Sequence, residues 1–245
     1  VFMALNIATL KTRSLTAVVF VAVMLLGLLW NAESFFILFT IVHFGCWYEF
    51  VKLMKKIHGE HYLKHCLWGL FYITIPIMML FHLFSNVSFS SSVKGGSYFY
   101  LIPSIKQFYS AIIPCAIIFS IWINDTMAYL VGSMVGKKPL SKISPKKTWE
   151  GTIGGAILCI LVIGMLGYFI PITKIIFVHH WIFIAALCAI YGTVGDLFES
   201  KLKRMANVKD SGAIMPGHGG FLDRFDSLLF AAPAVWLYVQ LFMRS

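Results

Sequence analysis

The sequence predicts an all-α, polytopic integral membrane protein with about seven transmembrane helices, and up to nine if weakly bounded spans are counted. Three observations lead there. Hydrophobic residues make up 59% of the 245 positions, aromatics 16% and charged residues only 12%. The mean hydropathy of +0.83 means more apolar surface than a water-soluble fold can hide. The apolar residues also gather into runs near the roughly 20 residues that a helix needs to cross about 30 Å of hydrocarbon.

In order, the runs are Leu15–Trp30, Phe35–Met54, Cys66–Phe84, Ala111–Val131, Ile153–Ile170, Ile175–Gly195 and Phe225–Phe242. Lys11 and Arg13 precede the first, which is read as an uncleaved span. Pro76 and Pro114 predict kinks in the third and fourth. Ser97–Phe108 is apolar but too short to cross alone. Residues 1–110 are read as an N-terminal transmembrane region, and 111–245 as a C-terminal transmembrane catalytic region.

Lysine and arginine fall in alternate connections. Lys11 and Arg13, the group Lys52, Lys55, Lys56 and Lys64, the group Lys137 to Lys147, and the block from Lys201 to Arg224 all come out on one side. The opposite connections hold few, such as Lys174. The positive-inside rule makes the basic side cytoplasmic. The net charge of +10 is therefore read as a device for topology and for contact with anionic membrane lipids, and nucleic acid is not expected as a partner. Cys46, Cys66, Cys115, Cys159 and Cys188 are odd in number and form no C-x-x-C pair, so they read as buried small hydrophobes.

The stretch from Gly195 to Asp226 concentrates charge between two apolar runs. Asp196, Asp210, Asp223 and Asp226 are hard oxygen donors of the class that Mg²⁺ requires. Lys201, Lys203, Arg204, Lys209 and Arg224 suit phosphates, and the turn Pro216-Gly217-His218-Gly219-Gly220 lets backbone N–H groups approach an anion. Asp223 and Asp226 share a helix face if the next helix has begun. Together these describe a phosphoryl or nucleotidyl site.

A second cluster lies earlier in the chain. Asn124-Asp125 sits inside the fourth run, and a carboxylate there is a functional hypothesis by default. Behind it come Gly132, Gly136 and Lys137, then Ser144-Pro145-Lys146-Lys147-Thr148-Trp149-Glu150-Gly151. Ser144 followed by Pro145 predicts a helix start aimed at an anion. With seven spans, Asp125, this loop, Asp196 and the Asp223/Asp226 pair fall on one membrane face and can share a single site. Gly132–Lys138 is not a P-loop, because Lys138 stands where Ser or Thr holds magnesium and no strand precedes it. His58, Glu60, His61 and His65 do not form H-E-x-x-H.

S-x-L-K-R at Ser200–Arg204, K-D-x-G at Lys209–Gly212, P-G-H-G-G-F at Pro216–Phe221 and D-R-F-D at Asp223–Asp226 resemble the signature of the CDP-diacylglycerol synthases, also called phosphatidate cytidylyltransferases. Met215 departs from the usual Leu, Ile or Phe, an apolar swap. N-D-T-x-A-Y from Asn124 and S-P-x-K-T-x-E-G from Ser144 are similar to a second shared region, and Trp47-Tyr48-Glu49-Phe50 agrees more weakly with an acidic-aromatic pair.

The resemblance implies transfer of CMP from CTP to phosphatidic acid, giving CDP-diacylglycerol and pyrophosphate. It implies Mg²⁺, sometimes with a second, monovalent cation such as K⁺, and a homodimer. Asp196, Asp223 and Asp226 are then expected as metal ligands, with Asp125 as a fourth. Lys203, Arg204 and Arg224 join them as catalytic phosphate partners. Asn124, Asp125, Ser144, Lys147, Thr148, Ser200, Lys201, Lys209, Asp210, Gly217, His218, Gly219 and Gly220 are expected to bind substrate, with His218 orienting it. The alternatives are a CTP-dependent lipid kinase of the polyprenol or phytol type, and a secondary transporter, which would need polar groups near mid-membrane and an internal repeat.

Overall fold

In hydrocarbon every backbone N–H and C=O must find a partner within its own segment, and the apolar runs accordingly become helices. The computed structural model describes residues 7–85, 103–214 and 219–243. In chain order the helices are α1 (Ile7–Leu29), α2 (Ala32–His58), α3 (Tyr62–Cys66), α4 (Ile75–Ser85), α5 (Pro103–Val135), α6 (Trp149–Phe169), α7 (Val178–Met205) and α8 (Leu222–Tyr238). Among the described residues, five helical stretches are long and apolar enough to cross a membrane, and two shorter apolar ones, Ser14–Leu29 and Leu70–Ser85, accompany them. These seven coincide with the seven predicted runs. The chain is a multi-pass, all-α membrane protein, with no strand among the described residues. Of the apolar piece Ser97–Phe108, the part before Pro103 lies outside the described residues, and the rest joins α5.

Local chemistry sets the helix ends. Asn31 Oδ1 accepts from the Ser34 N–H at 2.6 Å while Ser34 Oγ accepts from the Asn31 N–H at 3.1 Å, a capping box that turns α1 sharply into α2. Gly59, at φ 56°, ends α2, a backbone conformation that costs glycine little. Before Pro76 the helix widens into a π turn over Leu70–Thr74, because proline brings no N–H to the ladder. Pro114 lies inside α5.

Two boundaries differ from the sequence reading. Ser144 and Pro145 do not start a helix. They form a β-turn closed by the Lys147 N–H on the Ser144 carbonyl at 3.1 Å, with proline at the position that such turns favour. Helix α6 starts later, at Trp149, because Thr148 Oγ1 accepts from the Gly151 N–H at 3.1 Å and so supplies the cap. The other change is in α7, which runs past Gly195 through the charged segment to Met205. Hydropathy falls there while helix formers such as Glu199, Lys201, Leu202 and Lys203 continue the helix.

Small residues bring α5 and α6 together. Gly151 and Gly155 leave no room for a Cβ against Ala128 and Gly132 of α5, the close approach that G-x-x-x-G spacing allows between membrane helices. The opposite face of α6, with Ile153, Ile157, Leu161 and Met165, is exposed, as expected of a surface facing lipid. The core at the other side of the bundle is aromatic, with Phe35 stacked on Phe84 at 4.1 Å between ring centroids. Gly195 of α7 abuts the backbone carbonyl of Asp226 in α8. The charged ends of α5, α7 and α8 are thereby drawn together with the loop before α6.

Candidate functional site

A cavity of about 420 Å³ opens where these ends meet. Its walls bear Asn124 and Asp125 from α5, Lys147 and Thr148 from the loop before α6, Asp196 from α7, and Asp223 and Asp226 from α8. The three separated polar clusters of the sequence therefore line one space.

The loop before α6 is a stiff arm. Leu140 N–H donates to the Lys147 carbonyl at 2.7 Å and Trp149 N–H to the Lys138 carbonyl at 2.9 Å. Glu150 accepts from the N–H groups of Lys137 and Lys138 at 3.1 and 3.2 Å. This fastening aims Lys147 across the cavity, where its ammonium pairs with Asp196 of α7. Thr148 serves twice, capping α6 and lining the wall.

On α7, Asp196, Glu199 and Lys203 recur at three- and four-residue spacing, so they share a face. Lys203 Nζ lies 2.5 Å from Glu199 Oε2 and 2.6 Å from Asp223 Oδ1. Ser200 Oγ donates to Asp196 Oδ1 at 3.4 Å. Glu199 is fully buried, and its Oε1 has no hydrogen-bond partner. Asp226, also buried, accepts from the Ser227 N–H at 2.6 Å.

Oxygens of Asp196, Glu199 and Asp226 all lie within 4.8 Å of one another. Ligand oxygens sit about 2.1 Å from magnesium, so small side-chain movements close this group on one ion. Hard carboxylate donors are also the chemistry that magnesium takes. Glu199 is the member that sequence reasoning missed, although its spacing from Asp196 was a readable signal. Asp125 stands on the cavity wall outside the trio. Asp223 is occupied otherwise: besides Lys203, its Oδ2 accepts from the Ser211 and Gly220 N–H groups at 2.9 and 2.8 Å.

The remaining candidates separate. Lys201, Arg204, Lys209 and Asp210 are exposed and off the cavity wall. Arg204 donates to the Val208 carbonyl at 3.5 Å. Arg224 is exposed on the first turn of α8, and Ser144 belongs to the turn behind Lys147. Gly219, at φ 84°, and Gly220 lead into α8. Gly217 and His218 lie outside the described residues. Asn124 Oδ1, buried on the wall, has no hydrogen-bond partner and is free to accept from a bound molecule.

Glu49 of α2 is the other residue that sequence reasoning undervalued. It is fully buried and accepts from Ser211 Oγ at 2.6 Å and from the N–H groups of Phe221 and Leu222 at 3.0 and 2.9 Å. Its partners lie more than 160 positions away along the chain, beyond what local spacing reveals.

Comparison with known proteins gives the same direction. The phosphatidate cytidylyltransferase of Bacillus subtilis (strain 168) is 45% identical over 125 residues, 50% of this chain and 45% of that protein. That of Staphylococcus aureus (strain COL) is 46% identical over 116 residues, 46% of this chain and 43% of that protein. The chain therefore spans less than half the length of these two relatives. The phosphatidate cytidylyltransferase of Rickettsia bellii (strain RML369-C) is 31% identical over 248 aligned positions, 96% of this chain and 93% of that protein. Residues 77–242, which include every wall of the cavity, match the cytidylyltransferase family. With the match running through the site and a relative alignable along almost the whole chain, this protein belongs to the cytidylyltransferase family.

Proposed function

We propose that the chain is a phosphatidate cytidylyltransferase, which transfers CMP from CTP to phosphatidic acid and yields CDP-diacylglycerol and pyrophosphate. The observation behind this reading is the convergence of Asp125, Lys147, Asp196 and Asp226, from four separate elements, on one cavity at the charged end of a membrane bundle. The names of the relatives supply the substrates.

A phosphate oxygen of phosphatidate attacks the α-phosphorus of CTP. The new O–P bond forms as the bond to the bridging oxygen breaks, and pyrophosphate leaves with the electron pair. The attacking oxygen is already ionised near neutral pH, so no protein base is required. The protein's work is to hold two polyanions together and neutralise them. Lys147 reaches into the cavity as a phosphate partner. Lys203 fixes Asp223 and Glu199 beneath it, and Asn124 offers an acceptor to the nucleotide.

Asp196, Glu199 and Asp226 would hold magnesium, which supplies charge neutralisation for the phosphates. Asp125 is the carboxylate available to a second, monovalent cation such as K⁺. The segment Gly217–Gly220, with His218, is assigned to CTP on resemblance alone, and the homodimer rests on the same ground. The alternation of basic connections supports a site on the cytoplasmic face.

Labelled CTP tests the reading. With phosphatidate and magnesium, label from the α-phosphate should enter lipid and label from the γ-phosphate should leave as pyrophosphate. Transfer of γ-label to lipid would instead identify a CTP-dependent lipid kinase. Chelation of divalent metal should stop the reaction.

A further inference from the structure

We infer that Glu49, in the N-terminal half of the chain, is a positioning residue for this reaction: it holds the turn that leads into α8, and through it the Lys203–Asp223 pair, in register with the cavity. The inference rests on the functional reading above and adds a residue that lies outside the stretch 77–242 matched to the family.

A helix such as α8 begins with N–H groups that have no partner inside the helix, and they are commonly served by a side chain just ahead of it. Phe221, at that position here, provides no such hydrogen bond. The acceptor comes from another helix. Glu49 Oε1 takes the Phe221 N–H and Oε2 the Leu222 N–H, placing carboxylate oxygens at the positive end of α8, where an anion is favoured.

The surroundings are shaped for this carboxylate. Gly212 and Gly220 lie directly against it, and a Cβ on either would overlap its oxygens. One helical turn before Glu49, Gly45 leaves its place to the ring of Phe221. Gly45 and Glu49 share one face of α2, which thus presents a notch for the ring and two acceptors for the backbone beside it.

From there the contact reaches the site. Ser211 Oγ lies 2.6 Å from Glu49 Oε2 and 3.0 Å from Asp223 Oδ2, and its one hydrogen serves one of them at a time. Asp223 also takes the Ser211 and Gly220 N–H groups and the Lys203 ammonium. Glu49 and Asp223 therefore grip the same two strips of chain, around 211 and around 220. Asp223 lines the cavity and Glu49 does not, so Glu49 acts through Asp223 and the start of α8.

The test compares the full-length purified chain in lipid nanodiscs as wild type, Glu49→Gln and Ser211→Ala. Glutamine keeps the volume of the glutamate but sets an NH₂ group against one of the two backbone donors. Two readouts are taken: amide hydrogen exchange in peptides covering 208–225, and kcat and KM for phosphatidate with α-labelled CTP. For Glu49→Gln we expect exchange at Phe221 and Leu222 at least about tenfold faster and kcat at least about tenfold lower, as the loss of charge-assisted hydrogen bonds implies. KM for phosphatidate should stay within about twofold, since Glu49 is off the cavity wall.

Unchanged exchange, or kcat within about twofold of wild type, overturns the inference. So does a loss of activity that disappears once rates are expressed per folded molecule. If Glu49→Gln does not fold, Ser211→Ala decides: faster exchange with kcat at least about threefold lower supports positioning, and wild-type behaviour overturns it. If wild type itself transfers no label to phosphatidate, the functional reading fails. The exchange comparison then decides by itself whether Glu49 holds the turn.

Discussion

Asp223 and Asp226 stand three residues apart in the sequence, and their side chains have different surroundings. Asp223 is saturated by Lys203, Ser211 and Gly220, whereas Asp226 is buried beside Asp196 and Glu199 with a single backbone donor. Lys147 on Asp196 and Lys203 on Glu199 offset part of the charge of three carboxylates within 4.8 Å of one another, and the remainder repels until a metal cation binds. Asp226→Asn should therefore lower kcat by at least about a hundredfold, the order seen when a charge-stabilising group is removed. Its thermal midpoint without divalent metal should equal or exceed that of wild type, since the repulsion is relieved. A midpoint well below wild type would instead make Asp226 a structural residue. Magnesium at about a hundred times its Kd should stabilise wild type by about 2.7 kcal/mol, and Asp226→Asn should lose that stabilisation, as differential scanning fluorimetry will read. Acidic and basic residues between 195 and 226 marked the site in the sequence, but residue types alone did not separate a carboxylate that fastens a turn from one that faces a cation. The distinction depends on Ser211 and Gly220 folding back onto Asp223.

At the level of the elements, hydropathy was enough to place seven helices, because the membrane leaves the backbone few other choices. It was not enough to end them. Helix α7 carries Asp196, Glu199 and Lys203 on one face well past the apolar run, so Glu199 escaped notice as a partner of Asp196. Helix α6 begins at the Thr148 cap and not at Ser144-Pro145, because the Glu150 tie and the β-turn use the intervening residues for the arm that presents Lys147. The α5–α6 crossing keeps that arm in place. A side chain larger than hydrogen at Gly155 meets Ala128, so Gly155→Leu should destabilise the protein by about 1–3 kcal/mol, the usual cost of overpacking, and lower kcat along with the thermal midpoint. Gly164→Ala, where the nearest atom to the new methyl is Ile182 Cγ1 at 3.4 Å, should leave both unchanged.

For the molecule as a whole, the basic connections predict a single orientation. In a cysteine-free background, Lys138→Cys and Lys209→Cys should react with a membrane-impermeant maleimide only from the cytoplasmic side, and Lys174→Cys only from the other. Reaction of all three from one side would overturn both the topology and the proposed side of catalysis. The sequence reading put Asp125, Lys147, Asp196 and the Asp223/Asp226 pair on one membrane face, and one cavity gathers them. It gave little warning that the N-terminal half reaches the start of α8, since Trp47-Tyr48-Glu49-Phe50 agrees only weakly with the acidic-aromatic pair of the resemblance.

That participation bears on how the protein can be dissected. The stretch matched to the cytidylyltransferase family begins at residue 77, and a designer guided by that boundary alone would discard α1 to α3 as a membrane anchor. Such a truncation would remove the acceptor for the Phe221 and Leu222 amides and the seat of the Phe221 ring, leaving a severed fragment in which the start of α8 lacks its backstop. Supplying the missing helices on a second polypeptide, from a cut placed near Leu67, should restore what the shorter piece cannot do alone.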